Sequence, residues 1–461
     1  MAAPRSRPHL EKRLRAAVTG DVMLDPFSRG RYATDASCYQ VTPEAVVVPR
    51  STEEMAAALA VAREEGLAVT PRGGGTSQNG QTINASLVVD TTKHVNRIHE
   101  IDPDRRRAVV EPGVVLDELN RVLKPHGLWF PVDVSTASRA TIGGMAGNNS
   151  CGTRSIRYGT MRDNVLALEV VLADGRIIRT GSSAPKSSAG YDLTALFVGA
   201  EGTLGLITEL TLKLHGQPEA VSAAVCAFPA LGPAVEAVIA TIQSGIPMAR
   251  IEFVDAATAV AFNRASGTEL PERPHLMVEF HGSEAGVAEQ AARFGEIVAD
   301  LGGADFRWAA RAEDRTALWR MRHHAFWSCK ALHPERKAIV TDVCVPISRL
   351  AEAVEETVAE IAASGIPGPI VGHVGDGNFH AMLMPRPDDP AEAAAAKRLA
   401  ARMAERALRL GGTVSGEHGI GIGKLGYMEA EHGPGWQVMG ALKAALDPDG
   451  LMNPGKLVPQ G

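Results

Sequence analysis

The stretch PVDVSTASRATIGGMAGNNSCGTRSIRYGT, residues 131–160, constrains the fold more than any other part of the chain. It contains five glycines, two adjacent asparagines and many small hydroxyl side chains, but few large apolar ones. Such a segment has too little apolar surface to form a core, and its glycines let the backbone pass close to a ligand. Because successive backbone N–H groups can form an anion-binding concavity, we predict a cradle for a diphosphate, with a long surface loop as the alternative.

A second glycine loop precedes this stretch, where a short predicted strand, Ala68–Thr70, runs into PRGGGTS at residues 71–77. The loop matches neither GxGxxG nor GxxxxGKS, so the sequence fits neither a Rossmann nor a P-loop fingerprint. A third segment, LFVGAEGTLGLIT at residues 196–208, combines small residues with an apolar run. We expect the three segments to meet around one flat ligand in a first domain.

Composition excludes several classes of protein. The 461 residues carry a net charge of −6, with a pI near 6.2, so the basic footprint of a nucleic-acid-binding protein is missing. The five cysteines include no CxxC pair, which argues against a disulfide framework and a cysteine metal site. No apolar run reaches the roughly 18 residues of a membrane span. Residues 1–15 are basic and lack a signal-peptide core, so we expect a plain N-terminal helix and a cytoplasmic protein, with attachment to the inner-membrane surface as the alternative.

Beyond about residue 217 the glycine loops stop, and helical and strand patterns alternate. Predicted helices are 234–243, 283–301, 311–332 and 346–364, and predicted strands are 250–254, 275–281, 339–345 and 369–374. This alternation of helices and strands predicts an α+β cap with an antiparallel or mixed sheet and helices on one face. We divide the chain into an N-terminal segment (1–40), the first domain (41–218), the cap (219–410) and a C-terminal segment (411–461) that returns to the first domain.

The sharpest chemical signal is GHVGDGNFH at residues 372–380. Asp376-Gly377 is a favoured two-residue hairpin turn, and such a turn would place His373 directly opposite His380. Two imidazoles on one face suit one divalent metal ion, whereas two hydrogen-bonded histidines are the alternative. In SGEHGIG, residues 415–421, Glu417 is the candidate third ligand and His418 a candidate proton acceptor. An exposed glycine-rich turn is the alternative there.

These motifs together, with LDPDGLMNPGK at residues 446–456, resemble the FAD-linked D-2-hydroxyacid dehydrogenases, above all the cytochrome-type D-lactate dehydrogenases. The resemblance spans residues 31–458. It implies a vanillyl-alcohol-oxidase type of fold, also called the PCMH type, in which two α/β subdomains bind FAD and an α+β cap domain with an antiparallel sheet carries the substrate site.

The resemblance also implies roles for individual residues. His373, His380 and Glu417 match divalent metal ligands, with zinc or manganese as the ion, Asn378 shapes the site and His418 is the catalytic base. FAD is expected to be noncovalent, because the first glycine loop reads Gly75-Thr76-Ser77 and offers no tethering His or Cys. The implied FAD-binding residues are Arg72, Gly73, Gly74, Gly75, Thr76, Ser77, Asp133, Ser138, Thr141, Gly143, Gly144, Asn148, Gly152, Tyr158, Glu201, Gly202, Ile207 and Asn453.

The implied reaction is oxidation of a D-2-hydroxy acid, with D-lactate as the best candidate, to its 2-keto acid. The metal would lower the pKa of the hydroxyl while hydride passes to flavin N5. Arg322 is our candidate for the substrate carboxylate, because a guanidinium binds that anion bidentately. Apolar Phe326, Val340 and Met382 argue against a second carboxylate on the substrate.

Several alternatives stay open. The expected partners are the small substrate and an electron acceptor, which is a cytochrome, a quinone or an electron-transfer flavoprotein, and the resemblance allows a homodimer. Other enzymes that fit are a glycolate oxidase catalytic subunit and a D-2-hydroxyglutarate dehydrogenase. The remaining classes are an inactive FAD-binding partner subunit, which would need no metal ligands, and a metal-binding protein without redox chemistry, which would leave the glycine loops unexplained.

Overall fold

The computed structural model describes residues 8–182, 184, 186–309 and 311–459. The chain forms two compact units. The first comprises Met1–Cys151, Gly159–Gln217 and Glu417–Gly461, and the second comprises Gly152–Tyr158 and Pro218–Gly416. The chain therefore leaves the second unit and returns to the first between Gly416 and Glu417, whereas we predicted this boundary between residues 410 and 411. Of the predicted N-terminal helix, residues 1–7 lie outside the described residues.

The described elements are numbered in chain order. The strands are β1 (Asp21–Met23), β2 (Ala45–Val48), β3 (Val69–Arg72), β4 (Leu87–Asp90), β5 (Ile98–Asp102), β6 (Arg107–Val110), β7 (Leu128–Trp129), β8 (Val165–Val171), β9 (Ile177–Gly181), β10 (Leu206–Lys213), β11 (His215–Gly216), β12 (Ala220–Ala227), β13 (Met248–Val254), β14 (His275–Gly282), β15 (Ala304–Ala309), β16 (Ile339–Val340), β17 (Val343–Cys344), β18 (Ile370–His373) and β19 (Asn378–Leu383). The helices are α1 (Pro8–Ala17), α2 (Pro26–Arg31), α3 (Thr52–Glu64), α4 (Leu116–Leu123), α5 (Ile142–Asn148), α6 (Ser155–Tyr158), α7 (Met161–Asn164), α8 (Leu193–Phe197), α9 (Leu231–Gln243), α10 (Ala256–Ser266), α11 (Glu284–Asp300), α12 (Ala312–His323), α13 (Ala325–Leu332), α14 (Leu350–Ser364), α15 (Pro390–Arg409), α16 (Met428–His432) and α17 (Pro434–Leu446). Within the described ranges, every helix is too short or too polar to cross a lipid bilayer.

Two larger sheets and the two-stranded sheet of β7 and β11 build the first unit. One larger sheet has the order β1-β2-β4-β3, with β2, β4 and β3 parallel, and the other is antiparallel with the order β5-β6-β10-β8-β9. The valine-rich strands β2 and β4 are buried throughout, as parallel strands covered on both faces require. Ser51 followed by Glu54 three residues later is typical of a helix N-terminus, and Ser51 indeed caps α3 by accepting from the N–H of Glu54 at 3.3 Å.

The second unit contains one eight-stranded sheet with the order β15-β12-β14-β13-β18-β19-β16, and β17 also pairs with β19. All its pairs are antiparallel. Helices cover both faces, so the prediction of helices on one face is wrong. One face packs on α9, α11 and α14 through residues such as Phe253, Phe280 and Phe294, and the other packs on α10, α12 and α13 around Phe262 and Trp319.

Candidate active site

A cleft with about 1320 Å³ of empty volume lies within the first unit. Residues from the predicted glycine loops line it, together with residues between 197 and 207 and with Glu417 and His418. Glycine is required where two loops pack closely. A Cβ on Gly73 would lie 2.2 Å from Thr141 Oγ1, and one on Gly74 would lie 2.3 Å from the carbonyl oxygen of Arg139. The three segments therefore meet around one cleft, as the sequence predicted.

Most of the residues assigned to FAD lie at this cleft. Those that line it are Arg72, Gly73, Gly74, Gly75, Thr76, Ser77, Thr141, Gly143, Gly144, Asn148, Glu201, Gly202 and Ile207. Their contact with FAD stays a prediction. Sequence reasoning missed Gln81, which also lines the cleft. Gln81 follows the glycine triplet by only a few residues, so a longer loop assignment would have included it.

Five of the assigned residues do not line the cleft: Asp133, Ser138, Gly152, Tyr158 and Asn453. Gly152 and Tyr158 belong to the second unit, where the Tyr158 hydroxyl lies 2.7 Å from His281 Nδ1. Asn453 is buried behind the residues that line the cleft, and its Nδ2 donates to the carbonyl oxygens of Glu201 at 2.7 Å and Gln81 at 2.9 Å. It therefore positions two residues of the wall, and its left-handed backbone, with φ of +37°, turns the chain at that point.

The loop at residues 417–421 is fixed by side chains of the first unit. Asn148 Nδ2 donates to the Glu417 carbonyl at 2.8 Å, and Gln81 Nε2 donates to the His418 carbonyl at 2.6 Å. The Glu201 carboxylate accepts the N–H of Ile420 at 2.6 Å and that of Gly421 at 2.9 Å. Burial raises the pKa of Glu201, although these two N–H groups act in the opposite direction. The side chains of Glu417 and His418 are thus presented at the cleft by a backbone with little freedom.

In the second unit, one sheet face carries several buried polar residues among apolar ones. On this face β13 presents Val254, Glu252 and Arg250, and β14 presents Met277, Glu279 and His281. The strands β18 and β19 contribute His373, Asn378 and His380 to the same face. Because alternate residues of a strand share one face, four strands bring these distant polar residues together.

The predicted two-residue hairpin is wrong. A 3-10 turn at Val374–Asp376 and left-handed Gly377, with φ of +78°, form a four-residue connection between β18 and β19. His373 consequently pairs with Asn378, and Val371 pairs with His380. The two histidines are diagonal neighbours on one face rather than directly opposed, yet their ring centroids are only 5.4 Å apart with the planes at 79°.

Hydrogen bonds fix which nitrogen of each histidine carries the proton. His373 Nδ1 lies 2.8 and 2.9 Å from the two carboxylate oxygens of Glu252, and His380 Nδ1 lies 2.9 Å from the carbonyl oxygen of Thr341. Since both acceptors lack a proton, each Nδ1 donates, which leaves the lone pair on Nε2. Two nearby imidazoles with this tautomer fit a divalent metal ion, because metal-bound histidines usually donate through their other nitrogen.

Arg322 and Asn378 are both buried beside the histidines' strands. Arg322 Nη2 forms an ion pair with Glu252 at 2.6 Å, and within the described residues neither Arg322 Nε nor Arg322 Nη2 has a partner with hydrogen-bond geometry. Arg322 is therefore a buried charge and not an ordinary helix-surface one. Asn378 Nδ2 donates to Asp342 at 2.8 Å and to the Val343 carbonyl at 2.9 Å, so this amide holds neighbouring strands together.

The three apolar residues that the sequence singled out belong to one cluster. Met382 is fully buried in it, and Phe326 and Val340 pack against it. This cluster lies on the sheet face that also carries the histidines, and Met382 is two residues from His380 on β19. Polar and apolar side chains therefore follow each other within a few residues on this face.

Sequence reasoning missed the buried charges of β13 and β14. Glu279 receives a hydrogen bond from His281 Nε2 at 2.8 Å and lies 3.3 Å from Arg250 Nε, and the Arg250 guanidinium stacks 4.3 Å from the Trp319 ring. Burial alone would raise the pKa of Glu279, but Arg250, His281 and Arg154 hold it down at about 2. The alternation of charged and apolar residues in RIEFV, residues 250–254, was the available signal, although it is more typical of a half-exposed strand.

Comparisons with known proteins agree with this architecture. A FAD binding domain matches residues 43–181, and the C-terminal domain of the FAD linked oxidases matches residues 217–457. The chain belongs to the FAD-linked oxidases. This FAD-linked oxidase is 44% identical over 450 residues to a Danio rerio protein named probable D-lactate dehydrogenase, mitochondrial, with 96% of this chain and 90% of that protein covered.

Two further relatives have different names. A D-lactate dehydrogenase [cytochrome] of Arabidopsis thaliana is 43% identical, covering 90% of this chain and 74% of that protein. A glycolate oxidase subunit GlcD of Bacillus subtilis is 36% identical, covering 95% of each chain. The predicted membership of the FAD-dependent oxidoreductases is confirmed by these matches.

Solved structures support the fold of this FAD-linked oxidase. p-Cresol methylhydroxylase with substrate bound superposes with a TM-score of 0.80 at 15% identity, covering 97% of this chain and 96% of that chain. 4-Ethylphenol oxidase from Gulosibacter chungangensis gives a TM-score of 0.79 at 19% identity. The predicted vanillyl-alcohol-oxidase, or PCMH, type of α+β fold is confirmed.

Proposed function

We propose that this FAD-linked oxidase oxidises a D-2-hydroxy acid, with D-lactate as the preferred substrate, to the corresponding 2-keto acid. The observation that carries the proposal is the group of Glu252, His373 and His380 on one sheet face with Arg322 from α12, which brings together a guanidinium that would bind an anion and two imidazoles that would bind a metal. Relatives named D-lactate dehydrogenase, which align over most of the chain, support the same substrate.

His373 and His380 would hold a divalent ion, zinc or manganese, through Nε2, and Glu417 would complete the set. Gly416, the residue before Glu417, supports this assignment, because a Cβ there would lie only 2.0 Å from Asn378 Nδ2. The chain thus runs against β19 one residue before Glu417. When bound, FAD supplies a hydride acceptor and the divalent ion a Lewis acid. The cleft would hold FAD without a covalent bond, since Gly75-Thr76-Ser77 offers no nucleophile of the tethering type.

The protein's own residues bind the substrate and move its proton. Arg322 Nε would donate to the substrate carboxylate, and this contact orients the adjacent hydroxyl carbon. His418 would accept the hydroxyl proton at its imidazole as the general base. The constrained loop at 417–421 holds that imidazole at a fixed place, which reduces the entropy lost on reaching the transition state.

The apolar cluster of Phe326, Val340 and Met382 favours a short or apolar substrate tail. A second carboxylate placed there would lose its hydration without gaining a partner, which is costly. D-2-hydroxyglutarate is therefore disfavoured. Glycolate is the second candidate, since it has no tail and since the Bacillus subtilis relative is named a glycolate oxidase subunit. We also propose a cytochrome as the electron acceptor, as the name of the Arabidopsis thaliana relative indicates.

Steady-state kinetics test the substrate. Initial rates with D-lactate, D-2-hydroxybutyrate, glycolate and D-2-hydroxyglutarate should give kcat/KM values that are highest for D-lactate and lowest for the dicarboxylate. A value highest for D-2-hydroxyglutarate would refute the apolar pocket. A value highest for glycolate would replace D-lactate by the second candidate, and reduction of cytochrome c in the same assay tests the acceptor.

A further inference from the structure

The Glu252 carboxylate contacts two residues that have different roles in the proposed function. Its carboxylate is completely buried on β13 and accepts from His373 Nδ1 with both oxygens, at 2.8 and 2.9 Å. The same carboxylate lies 2.6 Å from Arg322 Nη2. One buried anion therefore contacts a proposed metal ligand and the proposed substrate-binding guanidinium.

The strand register creates this arrangement. Phe253 pairs with Gly372 in the antiparallel β13–β18 ladder, so Glu252 and His373 lie one residue further along each strand, as neighbours on one face. Arg322 reaches the same carboxylate from α12. A buried carboxylate is retained only where charge and hydrogen bonds compensate its lost hydration, and here one arginine and one histidine provide both.

The two histidines differ in the partner of Nδ1. His380 Nδ1 donates to the neutral carbonyl oxygen of Thr341 and lies 3.9 Å from Asp342 Oδ1, whereas His373 Nδ1 donates directly to the Glu252 carboxylate at 2.8 Å. A carboxylate partner makes an imidazole a stronger ligand than a carbonyl partner does, because it stabilises the positive charge that the ring acquires on binding a cation. His373 is thus the more strongly supported ligand of the pair.

We infer that Glu252 is a positioning residue that serves both halves of the site. It holds His373 in the Nδ1–H tautomer, so that Nε2 faces the metal, and it anchors Arg322 through Nη2 while leaving Nε for the substrate carboxylate. This inference rests on the proposed function. It predicts that one side chain outside both ligand sets controls metal affinity and substrate affinity together.

The test uses the full chain loaded with FAD and the variant Glu252→Gln, which keeps the shape and removes the charge. Zinc affinity is measured by competition with a chromogenic chelator, and kcat and KM for D-lactate are measured at saturating zinc. We expect zinc affinity to fall about 10- to 100-fold, the range typical of lost outer-shell partners, and KM to rise even when zinc is saturating.

Glu279→Gln is the matched control. Glu279 is also buried, lies on the neighbouring strand, and contacts one histidine, His281, and two arginines, Arg250 and Arg154. It should therefore lose similar electrostatic stabilisation while keeping the zinc affinity of the wild type. Arg322→Gln separates the two tasks, because it should raise KM without weakening zinc binding.

Wild-type zinc affinity in Glu252→Gln would overturn the inference, as would an equal loss in Glu279→Gln. Should Glu252→Gln fail to fold, Glu252→Asp keeps the charge and withdraws it by one methylene, and an unchanged zinc affinity in that variant overturns the inference equally. A wild-type protein that binds no zinc or manganese and still oxidises D-lactate would instead refute the metal part of the proposed function.

Discussion

Substituting Gly419 by alanine should disrupt the loop that carries Glu417 and His418. Gly419 has φ of +76°, and a Cβ there would lie 2.4 Å from Asn148 Oδ1, 2.5 Å from Gln81 Nε2 and 2.6 Å from Glu201 Oε1. All three are side chains that hold the loop. The methyl group cannot fit unless at least some of them move away.

Gly411 provides a matched control for the backbone contribution. Its φ is +77°, and a Cβ there would meet no atom within 4 Å. Gly411→Ala should therefore cost only the left-handed backbone strain, about 1–2 kcal/mol. Gly419→Ala adds the loss of the Gln81 hydrogen bond and of one hydrogen bond to Glu201, each about 0.5–1.5 kcal/mol. The total cost of Gly419→Ala is therefore about 2–5 kcal/mol.

The assay compares denaturant unfolding and turnover of both variants with the wild type. Gly419→Ala should unfold at clearly lower denaturant than Gly411→Ala, and its kcat should fall by a larger factor than its KM changes, because His418 is displaced. Equal stability of the two variants would show that the contacts around Gly419 do not hold the loop. A wild-type kcat in Gly419→Ala would show that the loop does not hold His418 in a catalytic position.

Three further predictions concern charge, metal and cofactor. The lowering of the Glu279 pKa from 4.5 to about 2 contributes about 3 kcal/mol to the free energy of unfolding above pH 4.5, and this contribution is lost as the pH falls towards 2. Glu279→Gln should therefore be less stable than the wild type at neutral pH, and the difference should shrink in acid. A difference in urea unfolding that does not change with pH would contradict this prediction. Chelation should abolish turnover while FAD stays bound, and zinc or manganese should restore it, whereas full activity of metal-free protein refutes the role of the metal. Acid precipitation should release intact FAD into the supernatant, and flavin that remains with the pellet would show a covalent bond.

Local signals in the sequence were sufficient for much of the fold. The β-branched runs Ala45–Val48 and Leu87–Asp90 are recognisable as strands in the sequence, and β2 and β4 have these bounds. Ser51 is likewise recognisable as the cap of α3. The predicted helix at 311–332 instead ends at His323 and resumes at Ala325, where the chain bends between α12 and α13. Helical periodicity continues across such a bend, so the sequence pattern does not reveal it.

The site was predictable only where its residues lie within one motif. His373 and His380 were recognised as a pair, but their register was wrong, because the turn propensity of Asp376-Gly377 is overridden by the 3-10 turn before Gly377. Glu252 was missed, because its partners come from a neighbouring strand and from α12. Such long-range pairing depends on the sheet order, which no local pattern specifies.

Anaerobic titration of the FAD-loaded, zinc-replete protein with D-lactate and, separately, with L-lactate measures the proposed half-reaction itself through the visible absorbance of the flavin. D-lactate should bleach the flavin, with pyruvate formed in equal amount, and L-lactate should leave the flavin oxidised. A flavin that stays oxidised with D-lactate, or that is bleached equally by both enantiomers, would refute the proposed oxidation of a D-2-hydroxy acid.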